Sequence, residues 1–202
     1  MATQATPESS PRRDELLELS YRYVLKQGFA GLSLRPLAAA IGSSPRVLLF
    51  LFESKDGLIR ALLARARADE LALLDRIHSS NTGGDLATVA AAVWHWLAAS
   101  EHRGLLRLWL EGYARSLVEP RGPWAEFASA TVNDWLALFA ATQPEELRHS
   151  PGGIAERTLT LAVLRGALLD LLATDDPKRT TAAVHRHLHA LAGGGRFGED
   201  ER

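Results

Sequence analysis

The sequence predicts an all-α fold: an N-terminal three-helix helix-turn-helix domain followed by a C-terminal helical bundle, about nine helices together. Alternating Val/Ile/Thr/Tyr runs of the kind that make strands are nearly absent, and apolar residues recur instead at three- and four-residue spacing. Short Pro/Gly/Ser breaks punctuate these periodic segments where helices start and stop.

The first helix is expected at Pro11–Gln27. Ser10 is placed to cap it, Pro11 suits the first helical position, and Leu16, Leu17, Tyr21, Val24 and Leu25 form its apolar face. Gly28 then supplies a left-handed stop. Two short helices follow at 34–41 and 45–52, and a long one opens at Lys55 behind the cap residue Ser54 and runs to about residue 78. The stretch Ser79-Ser80-Asn81-Thr82-Gly83-Gly84 reads as a linker, after which Asp85 caps a helix running to about Ser100. Breaks at Gly104, 119–123, Pro144, 150–153 and Asp176-Pro177 delimit the remaining helices, including one from about Ile154 to Ala173 and a last one over 177–192. The expected division is a helix-turn-helix domain at 11–54 and a bundle at 55–192, with 55–78 as the connecting helix. The polar start, 1–10, and the Gly-rich charged end, 193–202, are expected to be disordered tails.

The 202 residues are 47% hydrophobic and 23% charged, the balance of a globular chain. A net charge of -1 and a pI near 6.7 mean that any contact with a polyanion must come from a local patch. There is no cysteine, which excludes disulfides, thiolate metal sites, iron-sulfur clusters and cysteine nucleophiles. The first ten residues lack the basic-then-apolar order of a secretory signal, and no apolar run reaches the length of a membrane span. A cytoplasmic protein with no membrane partner is therefore expected.

One motif carries chemistry. Leu34, Leu37, Ala38 and Ile41 give a short helix one apolar face, Gly42 ends it, and Ser44-Pro45 start the next helix only three residues later. That is the spacing of a helix-turn-helix. The second helix of such a unit projects its N-terminal side chains into the DNA major groove, where an arginine donates two hydrogen bonds to guanine, and Arg46 holds that place. Ser54 and Lys55, opening the next helix, form a candidate phosphate clamp. Residues 1–60 carry eight basic and six acidic side chains, a mild local excess of positive charge.

The residues Gly28-Phe29, Leu32-Ser33-Leu34-Arg35, Leu37-Ala38, Gly42-Ser43-Ser44 and Phe52-Glu53-Ser54-Lys55-Asp56-Gly57-Leu58 resemble the DNA-binding domain of the TetR family over about 16–62. The resemblance implies that Arg35, Ser44, Pro45, Arg46, Val47, Leu49 and Leu51 face DNA, that Lys55 meets phosphate, and that Leu48 and Phe52 face inward. The sequence departs from the family at two positions. Tyr is usual where Leu49 stands, and Tyr or His is frequent where Leu51 stands, both reaching the DNA backbone through polar tips. The leucines either touch thymine methyls, leave the work to Arg35, Arg46 and Lys55, or weaken DNA affinity.

All five tryptophans lie in the second region, with Tyr113, Phe127 and Phe139. Rings at helical spacing fill a core or line an apolar cavity. The resemblance implies a small-molecule effector between these helices, with Trp96, Trp109, Tyr113, Trp124, Phe127 and Asn133 as candidate walls. The helix at about 154–173 is apolar on nearly every side, which calls for burial on two sides. The resemblance implies a homodimer built from this helix and the last one. Leu161, Leu164, Gly166, Leu168, Leu172, Val184 and Leu188 are the candidate interface, and the double-stranded DNA partner is then a pseudo-palindromic operator.

Other chemistries lack support. His185, His187 and His189 include a metal-compatible i, i+4 pair but no carboxylate or cysteine completes a shell, so neither metal nor cofactor is expected. Glu146-Leu147-Arg148-His149 is a single copy of a motif that di-iron bundles use in pairs. There is no Gly-rich phosphate loop, Gly-x-Ser-x-Gly or His-Glu-x-x-His, so no enzyme is expected. The function expected is a ligand-responsive, DNA-binding transcriptional repressor. The alternative is a helical small-molecule carrier with a weakened DNA face, distinguished by whether duplex DNA binds with a steep inverse salt dependence.

Overall fold

A computed structural model describes residues 10–194. The expected tails thus lie outside the described residues apart from three positions: Ser10 caps the first helix, and 193–194 end the last. Among the described residues there are ten α-helices, one 3-10 turn at Ser100–His102 and no strand. The helices are α1 (Pro11–Gln27), α2 (Leu34–Ala40), α3 (Pro45–Phe52), α4 (Lys55–Ser80), α5 (Leu86–Ala98), α6 (Arg103–Val118), α7 (Phe127–Thr142), α8 (Glu145–Arg148), α9 (Pro151–Thr174) and α10 (Pro177–Gly194). No single described helix is long and apolar enough to cross a membrane.

Two expected breaks are helix starts. Ser150 accepts a hydrogen bond from the Gly153 N–H at 3.0 Å, and Pro151 occupies the first helical position, so α9 opens at 151 and not near 154. Gly104 lies in the first turn of α6. A glycine there costs only fractions of a kcal/mol to about 1 kcal/mol, too little to end a helix.

By packing the described residues fall into two compact units, one holding 10–68 together with Arg107–Ala128, the other holding Asp69–Leu106 and 129–194. The boundary is not the one expected after residue 54, because side chains distant in sequence join the first unit. The Phe29 N–H donates to Glu111 Oε2 of α6 at 2.7 Å, and the Phe29 ring meets Trp124 edge-on at 4.9 Å. Gly28, with φ of 74°, ends α1; a Cβ there would lie 2.9 Å from Glu111 Oε2. The start of α4 lies in this unit too, where Leu58, Ile59, Leu62, Leu63 and Ala66 are buried. On α1 the buried stripe is Leu16, Ser20, Tyr21 and Val24, and Arg65 of α4 pairs with Glu18 while lying 4.8 Å over the Tyr21 ring.

In the second unit α5, α9 and α10 pack on one another. Val89, Val93, Trp94 and Leu97 of α5, Leu161, Leu164, Leu168 and Leu171 of α9, and Val184 and Leu188 of α10 are buried. The Trp94 indole N–H donates to Thr181 Oγ1 at 3.0 Å, so burying that ring leaves no donor unmet. Glu70, wholly buried, accepts hydrogen bonds from the Trp135 indole and from Thr131. Arg179 grips Asp170 with two hydrogen bonds of 2.6 and 2.9 Å, joining α10 to α9 and holding the Asp170 carboxyl below its usual range.

This packing corrects the expected dimer face. Leu161, Leu164, Leu168, Val184 and Leu188 are at most 8% exposed within one chain, so they cannot be offered to a partner. Leu172 is half-buried, and Gly166 is exposed. A helix apolar all round does not reveal by periodicity which side is inner. The outer side of α9 is Ala155, Leu159, Ala162, Gly166, Leu169 and Ala173, all exposed and stepping alternately by four and three residues.

Candidate nucleic-acid interface

The α2–α3 pair turns through 103°. Gly42 takes a φ of 65° at the corner, and the Ser43 N–H closes the end of α2 on the Ala38 carbonyl at 2.8 Å. Ser44 then accepts from the Val47 N–H at 3.3 Å, with Pro45 first in α3. Ser44 and Pro45 are both partly buried, in keeping with a structural share in the turn.

Leu37 and Ala38 on α2, and Leu48 and Phe52 on α3, point inward. The Phe52 ring is 4% exposed and carries the Arg13 guanidinium 5.0 Å from its centroid, tying α1 to the end of α3. Past Phe52 the chain reverses through Glu53 at φ 66° and restarts as α4, where Ser54 Oγ accepts from the Gly57 N–H at 2.9 Å. Gly57 approaches α3 so closely that a Cβ would stand 2.0 Å from the Phe52 carbonyl oxygen.

With α3 fixed at both ends, its other side is free to solvent. Arg46 is exposed, Val47 is 37% and Leu49 42% exposed, and Leu51 is partly buried. Arg35, second residue of α2, is exposed, as is Lys55, first residue of α4, where backbone N–H groups lack intrahelical acceptors. Glu53 and Asp56 are exposed as well, so the positive excess is small. This surface can hold phosphate at Lys55 and place one guanidinium and an apolar row against base edges.

Sequence reasoning passed over Phe50, whose ring is 83% exposed. Its signal was available: at about 100° per residue, position 50 lies opposite the mean direction of Leu48 and Phe52. Glu111, the acceptor for the Phe29 N–H, was also missed, and nothing local marks it, since 82 residues separate the partners.

The candidate effector walls fall in both units. In the first, Trp109, Trp124 and Phe127 are buried and Tyr113 is partly so. Trp124 is engaged by Phe29 and lies 5.4 Å under Arg115, and Phe127 packs over Gly112. In the second, Trp96 is half-buried and stacked on His102 at 3.9 Å, and Asn133 is exposed. A small cavity of about 140 Å³ lined by Asp85, Leu86, Thr142, Gln143, Leu147 and Leu191 is below the size of ordinary ligand pockets, roughly 300–1,000 Å³. His185 and His189 stand exposed on α10, and among the described residues no three potential ligands converge on a metal site.

These features define an all-helical chain with an N-terminal helix-turn-helix and a further helical unit. Its structure is similar to that of a Rhodococcus sp. protein assigned to the TetR family of transcriptional regulators (18% identity, 89% of this chain and 100% of that one, TM-score 0.66). It is similar to a transcriptional regulator of Rhodococcus sp. Rha1 (21%, 90% and 96%, TM-score 0.73) and to the multidrug binding protein EbrR complexed with ethidium (25%, 87% and 98%, TM-score 0.64). The chain has the fold of TetR-family regulators. No protein-family model and no curated relative matches its sequence.

Proposed function

We propose that the chain is a homodimeric, DNA-binding transcriptional repressor released by a small apolar or aromatic effector. The observation that carries this is the exposed side of α3, held at both ends and bordered by Arg35, Arg46 and Lys55 across a 103° helix-turn-helix. Arg46 reads guanine, Lys55 and Arg35 meet phosphate, Ser44 and Pro45 set the start of α3, and Val47, Leu49 and Leu51 supply apolar contact.

Dimerisation uses the outer row of α9 with the exposed side of α10. Two recognition helices then address half-sites about 34–36 Å apart. The effector reading draws on the structural likeness to EbrR, which was solved with imidazole, proflavin, ethidium and malachite green. The candidate contacts are Trp109, Tyr113, Trp124 and Phe127 in the first unit and, separately, Trp96 and Asn133 in the second. Effector and operator oppose each other through a shared coupling energy of about 1–3 kcal/mol.

Selection of bound fragments from random duplexes, followed by gel shift at several salt concentrations, tests the proposal. The expected outcome is one enriched pseudo-palindrome whose affinity falls steeply with salt and drops further on adding aromatic effectors. Ligand binding without any duplex binding would instead identify a helical carrier, as the apolar Leu49 and Leu51 first suggest.

A further inference from the structure

The ring of Phe50 is 83% exposed, more than any other large apolar side chain exposed among the described residues. The fold gains nothing by it. Burying a phenylalanine stabilises a protein, and this chain forgoes that on α3. Phe50 lies opposite the anchor pair Leu48 and Phe52 and is the most exposed of the large apolar side chains on α3. Arg46 is one turn before it and Val47 three residues before it, both exposed on the same side.

The surroundings specify the occupant. Arg35, Arg46 and Lys55 are exposed on the same helix-turn-helix segment and leave a small positive excess over Glu53 and Asp56 that suits a polyanion, whereas the ring itself can neither donate nor accept a hydrogen bond. On the floor of the major groove the apolar group available to such a side chain is the C5-methyl of thymine. We propose that Phe50 is a specificity-determining residue that reads a thymine methyl, with Val47 as a second apolar contact, next to the guanine read by Arg46. This rests on the DNA-binding reading above. Four residues of helix rise about 6 Å and base pairs are stacked about 3.4 Å apart, so the thymine falls within about two base pairs of that guanine.

The test uses the full chain and the selected operator, synthesised with single thymines replaced by deoxyuridine, which removes the methyl and leaves every hydrogen-bonding group. At about 0.8 kcal/mol for one buried carbon, the wild type should lose affinity about fourfold at the critical thymine of each half-site. Phe50→Ala should bind thymine and deoxyuridine operators equally, whereas Arg46→Ala should keep the fourfold difference. Because the ring is exposed, Phe50→Ala should retain the wild-type melting temperature, and Phe50→Leu should restore part of the methyl preference. Equal binding of both operators by the wild type, or an undiminished difference in Phe50→Ala, overturns this inference while leaving the regulator reading intact. Failure to bind any duplex overturns both.

Discussion

A methyl group added to Gly57 would meet the Phe52 carbonyl oxygen at 2.0 Å, a backbone atom that cannot swing aside. Gly57→Ala should therefore cost about 2–4 kcal/mol, at or beyond the upper end of ordinary overpacking. Chemical denaturation measures it, and a loss under about 1 kcal/mol would show that the α3–α4 junction yields freely. The cations that border α3 separate by a different experiment. Arg46→Ala should relax base preference at one position of each half-site by about 1–3 kcal/mol, while Lys55→Ala should weaken all sequences alike and reduce the salt slope by about one per chain. Salt titrations on matched and mismatched duplexes distinguish them, and identical effects of the two changes would contradict the assigned roles. At this scale, legibility followed sequence distance. Ser10, Ser44 and Asp85 were recognisable as caps because a cap bond spans three residues, and Leu48 and Phe52 as anchors because they are one turn apart. The Phe29–Glu111 bond left no local trace, since any of several carboxylates could have served.

Helix starts follow the same logic, and Asp85 makes it measurable. Its Oδ1 accepts from the Thr88 N–H at 2.8 Å, and hydrogen bonding to Thr88 holds the carboxyl below its usual range. With the folded pKa lowered, the stabilisation is fully present above the unfolded value near ~3.9 and is lost as the pH falls through the folded one. Asp85→Ala should therefore lower stability by about 1 kcal/mol at neutral pH, with the gap to wild type closing under acid conditions. Asp85→Asn keeps the acceptor and should remain near wild type at neutral pH. Thermal melts across pH 2–7 (roughly the range spanning ionisation) check both, and a gap that persists undiminished in acid would assign the effect to something other than the carboxylate. Helix α9 shows what patterning withholds. Its composition called for burial on two sides and the chain itself buries one, but Leu161, Leu164 and Leu168 and the outer Leu159 and Leu169 are chemically alike, so the sequence could not say which leucines were inner.

At the scale of the whole molecule, the all-helical class and the helix-turn-helix were legible, whereas the division into units was not. It depends on Trp124 and Glu111 meeting Phe29 across some eighty or more residues of sequence. The outer row of α9 yields the prediction that concerns assembly. Leu159 and Leu169 are 57% and 54% exposed, and with Ala155, Ala162, Gly166 and Ala173 they step alternately by four and three residues, as in a helix-pairing seam. The small residues let a second helix approach closely, and the two leucines are the side chains such a seam would bury. The double change Leu159→Lys with Leu169→Lys puts like charges into that seam without touching the buried face, so the chain should fold and sediment as a monomer. Operator affinity should fall with it, because two half-sites no longer bind as one event. Leu164→Ala, at a position 1% exposed, should do the reverse: lose about 2–5 kcal/mol of stability while keeping the dimer at temperatures where it remains folded. Sedimentation velocity with parallel melts separates the two cases. A lysine double variant that still sediments as a dimer would place the partner interface elsewhere on the chain.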